Sequence, residues 1–217
     1  MTYRNIHDVR KKITRTYEFI SCSYHEAGHV IYALLHLMRV NSVSMYEDKK
    51  IKRVSGITLY NCIEDLISIK NTNLFNILVR AELSVNYAGL ITEKALFKSV
   101  SGSNQTPMFI SDGSVSDNKN AREIIKKYNL APPGQKRAIY KKKISREIQN
   151  ELYNNWDAVT LVAHALFKRR RLSFDDLLLL TKKTKNKKFW KEQFKKINII
   201  YNNIGNFDEN DLMKMLS

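Results

Sequence analysis

Apolar positions recur at helical spacing along most of the chain. Between residues 17 and 38, Ala27, Val30, Ile31, Leu34, Leu35 and Met38 fall on one broad face. That spacing predicts a helix with a buried side, with Ser21 or Ser23 placed to cap a turn. The runs 42–47 (SVSMYE) and 54–60 (VSGITLY) have β character and are separated by charged residues; they predict a small hairpin, or two strands, at the margin of a helical body. Residues 72–97 return to a period of about 3.6. The period is interrupted at Gly89, where an absent side chain suits close packing against another helix.

The Ser-, Gly- and Asp-rich segment 98–118 is the clearest loop. A helix from about 117 to 128 follows, then a break at 130–135 (LAPPGQ), then a long helical pattern from about 136 to 167 that ends at 169–172. Ser173 sits at a cap position with Asp175 and Asp176 in the first turn of a further helix, and a lysine-rich stretch leads into a final helical region. The pattern predicts a mainly α fold with a small β element, arranged as a single domain over 1–217. Its core covers about 17–180, and 181–217 form a basic linker and C-terminal helical extension.

At 217 residues, 43% hydrophobic and 27% charged, the chain has the composition of a folded protein rather than a disordered tail. Its longest apolar stretch, 30–38, includes His36 and falls short of the roughly 20 residues that span a bilayer. No membrane span is expected. The N-terminal residues lack the continuous apolar core of a secretory signal, so a cytoplasmic location is the expectation. Cys22 and Cys62 are 40 positions apart, which excludes a CxxC pair and a disulfide framework and leaves two buried thiols. Neither GxxxxGK[ST] nor GxGxxG occurs, so no nucleotide site is indicated.

The net charge of +16 is uneven, because 22 Lys and Arg face 7 Asp and Glu between 119 and 196, a local excess of +15. These lysines fall between apolar helical positions, as on a solvated face. The sharper alternative is a basic binding module for nucleic acid or an acidic protein, with Tyr128, Tyr140, Tyr153 and Trp190 stacking on bases.

His25-Glu26-Ala27-Gly28-His29 is an HExxH motif inside the first helix. Positions i and i+4 share a face one turn apart, so both imidazoles can reach one ion through Zn–N bonds of about 2.0–2.1 Å. Glu26, one step on, is rotated beside the metal, where it can take a proton from water as a general base. Gly28 costs around 1 kcal/mol relative to Ala in a helix interior, which an approaching strand or substrate segment would explain. His36 lies about 10 Å further along the axis and cannot bind the same ion.

A catalytic zinc takes three protein ligands and keeps one position for water. Asp117 is the favoured third ligand, because it follows the Ser/Gly loop and starts a helix whose dipole keeps a carboxylate ionised. Asp112 in the same loop and Glu123 further along that helix are alternatives, as is His164, which within VTLVAHALF has the setting of a helix-core residue.

Residues 23–30 (SYHEAGHV) look like the zinc helix of the FtsH-type metalloproteases, whose usual form is AYHEAGHA. Residues 54–58 (VSGIT) are similar to the strand that follows in that family, and 87–97 (YAGLITEKALF) resemble its GGRAAE-L-F helix, with the acid kept as Glu93. Residues 113–121 (GSVSDNKNA) resemble GASNDLxxA, whose aspartate is the third zinc ligand and falls on Asp117. Residues 156–177 are similar to the helix-turn-helix that closes the peptidase domain. Leu90 and Ala88 replace the family's arginine and first glycine.

The resemblance implies an FtsH-type zinc peptidase domain standing without the ATPase module and membrane spans of that family. The expected function is a zinc-dependent endopeptidase acting on flexible or unfolded polypeptide, independent of ATP on its own. Zinc would be held by His25, His29 and Asp117, with Glu26 as general base. The alternatives are the basic binding module and a regulatory protease that works with an ATPase partner in trans. Nucleic acid and a homo-oligomer stay open as partners.

Overall fold

The computed structural model describes residues 3–48, 53–61, 72–102, 113–130, 137–203 and 209–216, with the backbone alone at 3–13, 113–114 and 137. The elements are α1 (Tyr3–Leu35), β1 (Arg39–Asp48), β2 (Arg53–Asn61), α2 (Thr72–Ser101), α3 (Gly113–Lys127), α4 (Arg137–Asn154), α5 (Trp156–Arg169), β3 (Arg171–Ser173), α6 (Phe174–Thr181), α7 (Lys187–Asn202) and α8 (Glu209–Leu216). The fold is mainly helical with one three-stranded antiparallel sheet. Among the described residues, no helix is long and apolar enough to cross a membrane.

α1 is the axis of the molecule, packing on α2, α5 and β2. It begins well upstream of the apolar face that first marks it. Ile6, Val9 and Ile13 already stand at helical spacing, and neither Pro nor Gly interrupts the segment. Ser21 and Ser23 are therefore interior, not caps. Ser23 donates to the carbonyl of Ile20 at 2.7 Å, and Ser21 reaches across to Glu93 at 2.6 Å.

The end of α1 is a Schellman turn: Met38 N–H donates to Ala33 O at 2.9 Å, Leu37 N–H to Leu34 O at 3.2 Å, and Leu37 has φ 60°. Leucine replaces the usual glycine there. Its left-handed backbone costs roughly 1–2 kcal/mol, which burial of its side chain offsets. Gln193 of α7 donates to two carbonyls of the last turn, Leu34 O and Leu35 O, at 3.3 and 2.9 Å.

β1 and β2 pair as the predicted hairpin, with Met45 opposite Gly56 and a bulge between Val40 and Ser42. The sheet order is β2-β1-β3. β3 escaped the sequence reading because three residues carry no alternation; it forms where Leu172, fully buried, enters the core opposite Val43. The segment thought to close the peptidase domain by a plain turn thus contains a strand.

The long pattern 136–167 is two helices broken at Asn155. Its side chain donates to Glu151 O at 3.0 Å, while its carbonyl accepts from Val159 N–H at 3.1 Å. No Pro or Gly marks the break. The capping box at Ser173 is as expected, with Asp176 returning a bond to the Ser173 N–H. α2 extends to Ser101 and α3 begins at Gly113, so the loop read over 98–118 is shorter at both ends. Asp112 and Cys62, and residues 131–135 of the break read at 130–135, lie outside the described residues. Cys22 is buried, and burial pushes its thiol well above the ordinary range.

Gly28 faces neither a strand nor open space. A Cβ there would meet Thr92 Oγ1 and come within 2.8 Å of the Ala88 carbonyl, so Gly28 is where α1 and α2 touch. Gly28→Ala gains about 1 kcal/mol of helix propensity, but the overpacking costs roughly 1–3 kcal/mol. Urea denaturation is expected to show a net loss of stability.

Candidate metal centre

His25 and His29 project from the buried face of α1 and lie 2% and 8% exposed. Asp117 approaches them from α3. His25 Nε2 lies 2.9 Å from His29 Nε2 and 2.9 Å from Asp117 Oδ2, and His29 Nε2 lies 3.2 Å from the same oxygen. Ligands of a tetrahedral zinc with bonds of about 2.0–2.1 Å stand about 3.3 Å apart. The spacing of these atoms, and their chemistry, fit a metal ion.

The outer ring nitrogens fix which atoms face inward. His29 Nδ1 is 2.7 Å from Val85 O, and a carbonyl can only accept, so this nitrogen carries the proton and Nε2 presents a lone pair. His25 Nδ1 is 3.0 Å from Glu93 Oε2. Glu93, 2% exposed, spends its other oxygen accepting from Ser21. This is the arrangement that orients metal-binding imidazoles and raises their basicity.

Gly89 explains how α2 comes so near. A Cβ there would sit 2.5 Å from His29 Nε2 and 2.6 Å from His25 Nε2. The close packing anticipated at Gly89 is against the imidazoles of α1.

Asp117 is not at the start of its helix, since α3 begins four residues earlier. Its position owes nothing to capping. Ala121, Ile124 and Ile125 bury one face of α3, and Lys141 of α4 donates to Asn118 Oδ1 at 3.0 Å while its ammonium lies over the Tyr87 ring. Burial works against the Asp117 carboxylate, but the two histidine rings beside it hold its pKa down to about 2. Burial likewise opposes charge on His25, yet Asp117 and Glu93 overcome it and push the ring up to about 10.

Glu26, 5% exposed, is held by a different element. Thr58 of β2 donates to its Oε2 at 2.6 Å, and Gly56 packs directly on its side chain. Glu26, the three candidate ligands, Asn86 of α2 and Gly56, Thr58 and Tyr60 of β2 line one cleft of about 400 Å³.

The other sequence candidates are elsewhere. His164 is exposed on α5 with its ring edge toward Tyr24, not in the core. Glu123 is exposed on α3, and His36 pairs with Glu151 at 3.2 Å. Trp190 and Tyr140 are core residues and Tyr128 packs on Phe75, which leaves Tyr153 the most exposed of the four rings read as stacking candidates. Glu93, Ser21, Thr58 and the Val85 carbonyl have no site role in the sequence reading; Glu93 and Thr58 fall within the runs that resemble the GGRAAE helix and the strand, and Ser21 reads only as a possible cap.

No protein-family model matches the chain, and no curated protein matches it significantly.

Elemental analysis of the purified protein is expected to find about one metal ion per chain, absent from His25→Ala and Asp117→Ala. Glu93→Gln should retain the ion with affinity lowered by about 10–100-fold.

The raised His25 pKa has a defined sign. Its partners stabilise the metal-free protein fully below the ordinary 6.5, and this contribution is lost as pH rises through about 10. For Asp117 the same contacts act above 3.8 and are lost as pH falls through about 2. A metal must displace the His25 proton. Calorimetry in buffers of differing ionisation enthalpy should therefore show about one proton released per ion near neutral pH, with affinity climbing toward pH 10.

Proposed function

We propose that the chain is a zinc-dependent endopeptidase acting on flexible or unfolded polypeptide. The observation that carries this reading is the Glu26 carboxylate lining the same cleft as the His25, His29 and Asp117 cluster. Two imidazoles and one carboxylate at tetrahedral spacing suit zinc. The ligand set is also the one that the FtsH-type resemblance implies.

His25, His29 and Asp117 would hold the zinc, which when bound would supply Lewis-acid polarisation of a carbonyl and make a water more acidic. Glu26 takes the proton from the attacking water and passes it to the departing amine. Thr58 fixes which Glu26 oxygen faces the cleft, because Oε2 is already engaged. Glu93 and the Val85 carbonyl keep both Nε2 atoms directed inward.

β2 offers the means of binding substrate. It is the outer strand of the sheet, and no described strand pairs with its far edge. A peptide adding to that edge would gain main-chain hydrogen bonds beside Glu26, with little selection of side chains. Accessible substrates are then extended segments, which need no ATP-driven unfolding.

Glu26→Gln should retain its metal while cleavage of an unstructured protein falls by about 10²–10⁴-fold. A chelator should abolish cleavage and added zinc restore it. Undiminished cleavage by Glu26→Gln would overturn the reading.

A further inference from the structure

α6 and α7 meet along a second groove of about 450 Å³, which shares no lining residue with the cleft. Its floor is apolar, made by Leu178 of α6 and by Phe194 and Ile199 of α7. Its rim is cationic, made by Lys182, Lys191 and Lys195. All three lysines are exposed, and none has an ion-pair partner among the described residues.

Acids on the same two helices do not offset this charge. Asp176 is engaged by Ser173 and Arg169, and Asp175 and Glu192 line neither wall. Lys183, Lys185, Lys187 and Lys188, all exposed, extend the positive field around the α6–α7 turn. On α7 Lys191, Lys195, Asn198, Ile199 and Asn202 share the groove face, while Trp190, Gln193, Ile197 and Ile200 turn the opposite way into the core and Phe194, also buried, lies between the two. α8 does not cover the groove, since Lys196, which donates to Met215 O at 2.7 Å, is not among its lining residues.

We infer that this groove docks an acidic amphipathic helix of a partner protein. The partner's apolar stripe rests on the half-buried Leu178 and Ile199, with the buried Phe194 beneath them, and its flanking carboxylates meet Lys182, Lys191 and Lys195. The apolar floor supplies contact area that excludes water, and the lysines select the sign of the partner and speed its approach. A nucleic acid would gain nothing from a floor of Leu178 and Ile199, and Trp190 and Tyr140 are buried rather than offered for stacking. The inference is independent of the peptidase reading, because no residue of the groove touches the metal cluster.

The test uses the full chain and fluorescence anisotropy. One labelled peptide of Glu and Leu carries its leucines at helical spacing; a second, of equal composition, has them scattered. Single-stranded DNA and phosphatidylserine vesicles are the other probes. The patterned peptide is expected to bind, and the scattered one at least about tenfold more weakly. The double variant Lys191→Glu/Lys195→Glu should weaken binding of the patterned peptide by about tenfold or more. Leu178→Gln should do the same, while the control double variant Lys142→Glu/Lys143→Glu on α4 should change it by no more than about twofold. Circular dichroism and metal content serve as folding controls, and the lysine pair carries the test if Leu178→Gln does not fold. Equal binding of the two peptides, equal losses in the two double variants, or binding of DNA or vesicles through these residues in place of the peptide would each overturn the inference.

Discussion

Three hydrogen-bond acceptors brought into mutual contact repel one another unless a cation lies between them, and the cleft of this protein is built around such a trio. The inward lone pair of His29 follows from the Val85 carbonyl behind its ring, and the Asp117 oxygen lies near both Nε2 atoms. Leaving buried charges uncompensated costs several kcal/mol, so the cluster holds either a proton or a metal ion. The remaining architecture positions the acceptors. α1 supplies two at i and i+4, α3 supplies the third, and α2 comes close enough to orient them only because Gly28 and Gly89 leave room.

Support reaches the site from the far end of the chain. The Tyr201 hydroxyl of α7 donates to Asn61 O at 2.5 Å and accepts from Arg39 N–H at 3.2 Å. It thereby joins the last residue of β2 to the first residue of β1. Gln193 on the same helix secures the end of α1. α7 thus ties together the helix that carries Glu26 and the hairpin whose Thr58 holds it, although no residue of α7 lines the cleft. A lysine-rich segment with the sequence look of a linker is part of the frame.

What the sequence made legible followed from how local each feature is. HExxH places two imidazoles and a carboxylate by helical geometry alone, and the hairpin and the Ser173 cap are equally short-range. Asp117 is 88 residues from His29, so no periodicity could pair them. Its selection rests on two grounds, the resemblance to GASNDLxxA and a place at a helix start after the Ser/Gly loop, and the second does not hold because α3 begins at Gly113. The break at Asn155 and the strand at 171–173 were hidden for a related reason. The strand arises from pairing with β1 over a run too short to establish a period, and the break at Asn155 falls in sequence that carries no Pro and no Gly. His164 shows the opposite error, since an apolar neighbourhood in sequence did not bury it.

The edge of β2 with which no described strand pairs bears on function, because exposed strand edges are a liability that folded proteins usually blunt with charge, Pro or a short strand. β2 runs for nine residues and, after Arg53, carries no charge and no Pro. Ile57 and Leu59 on it are 44% and 49% exposed. β1 is satisfied on both sides, by β2 and by a β3 of only three residues, so the sheet is extended on the side away from the metal cluster and left open beside it. Gly56 and Thr58, in the middle of this strand, are the residues that press on Glu26 and hydrogen-bond it. A chain pairing with β2 would therefore lie next to the carboxylate and the metal ligands at once. The same backbone that fixes the proposed base would align the bond to be cut.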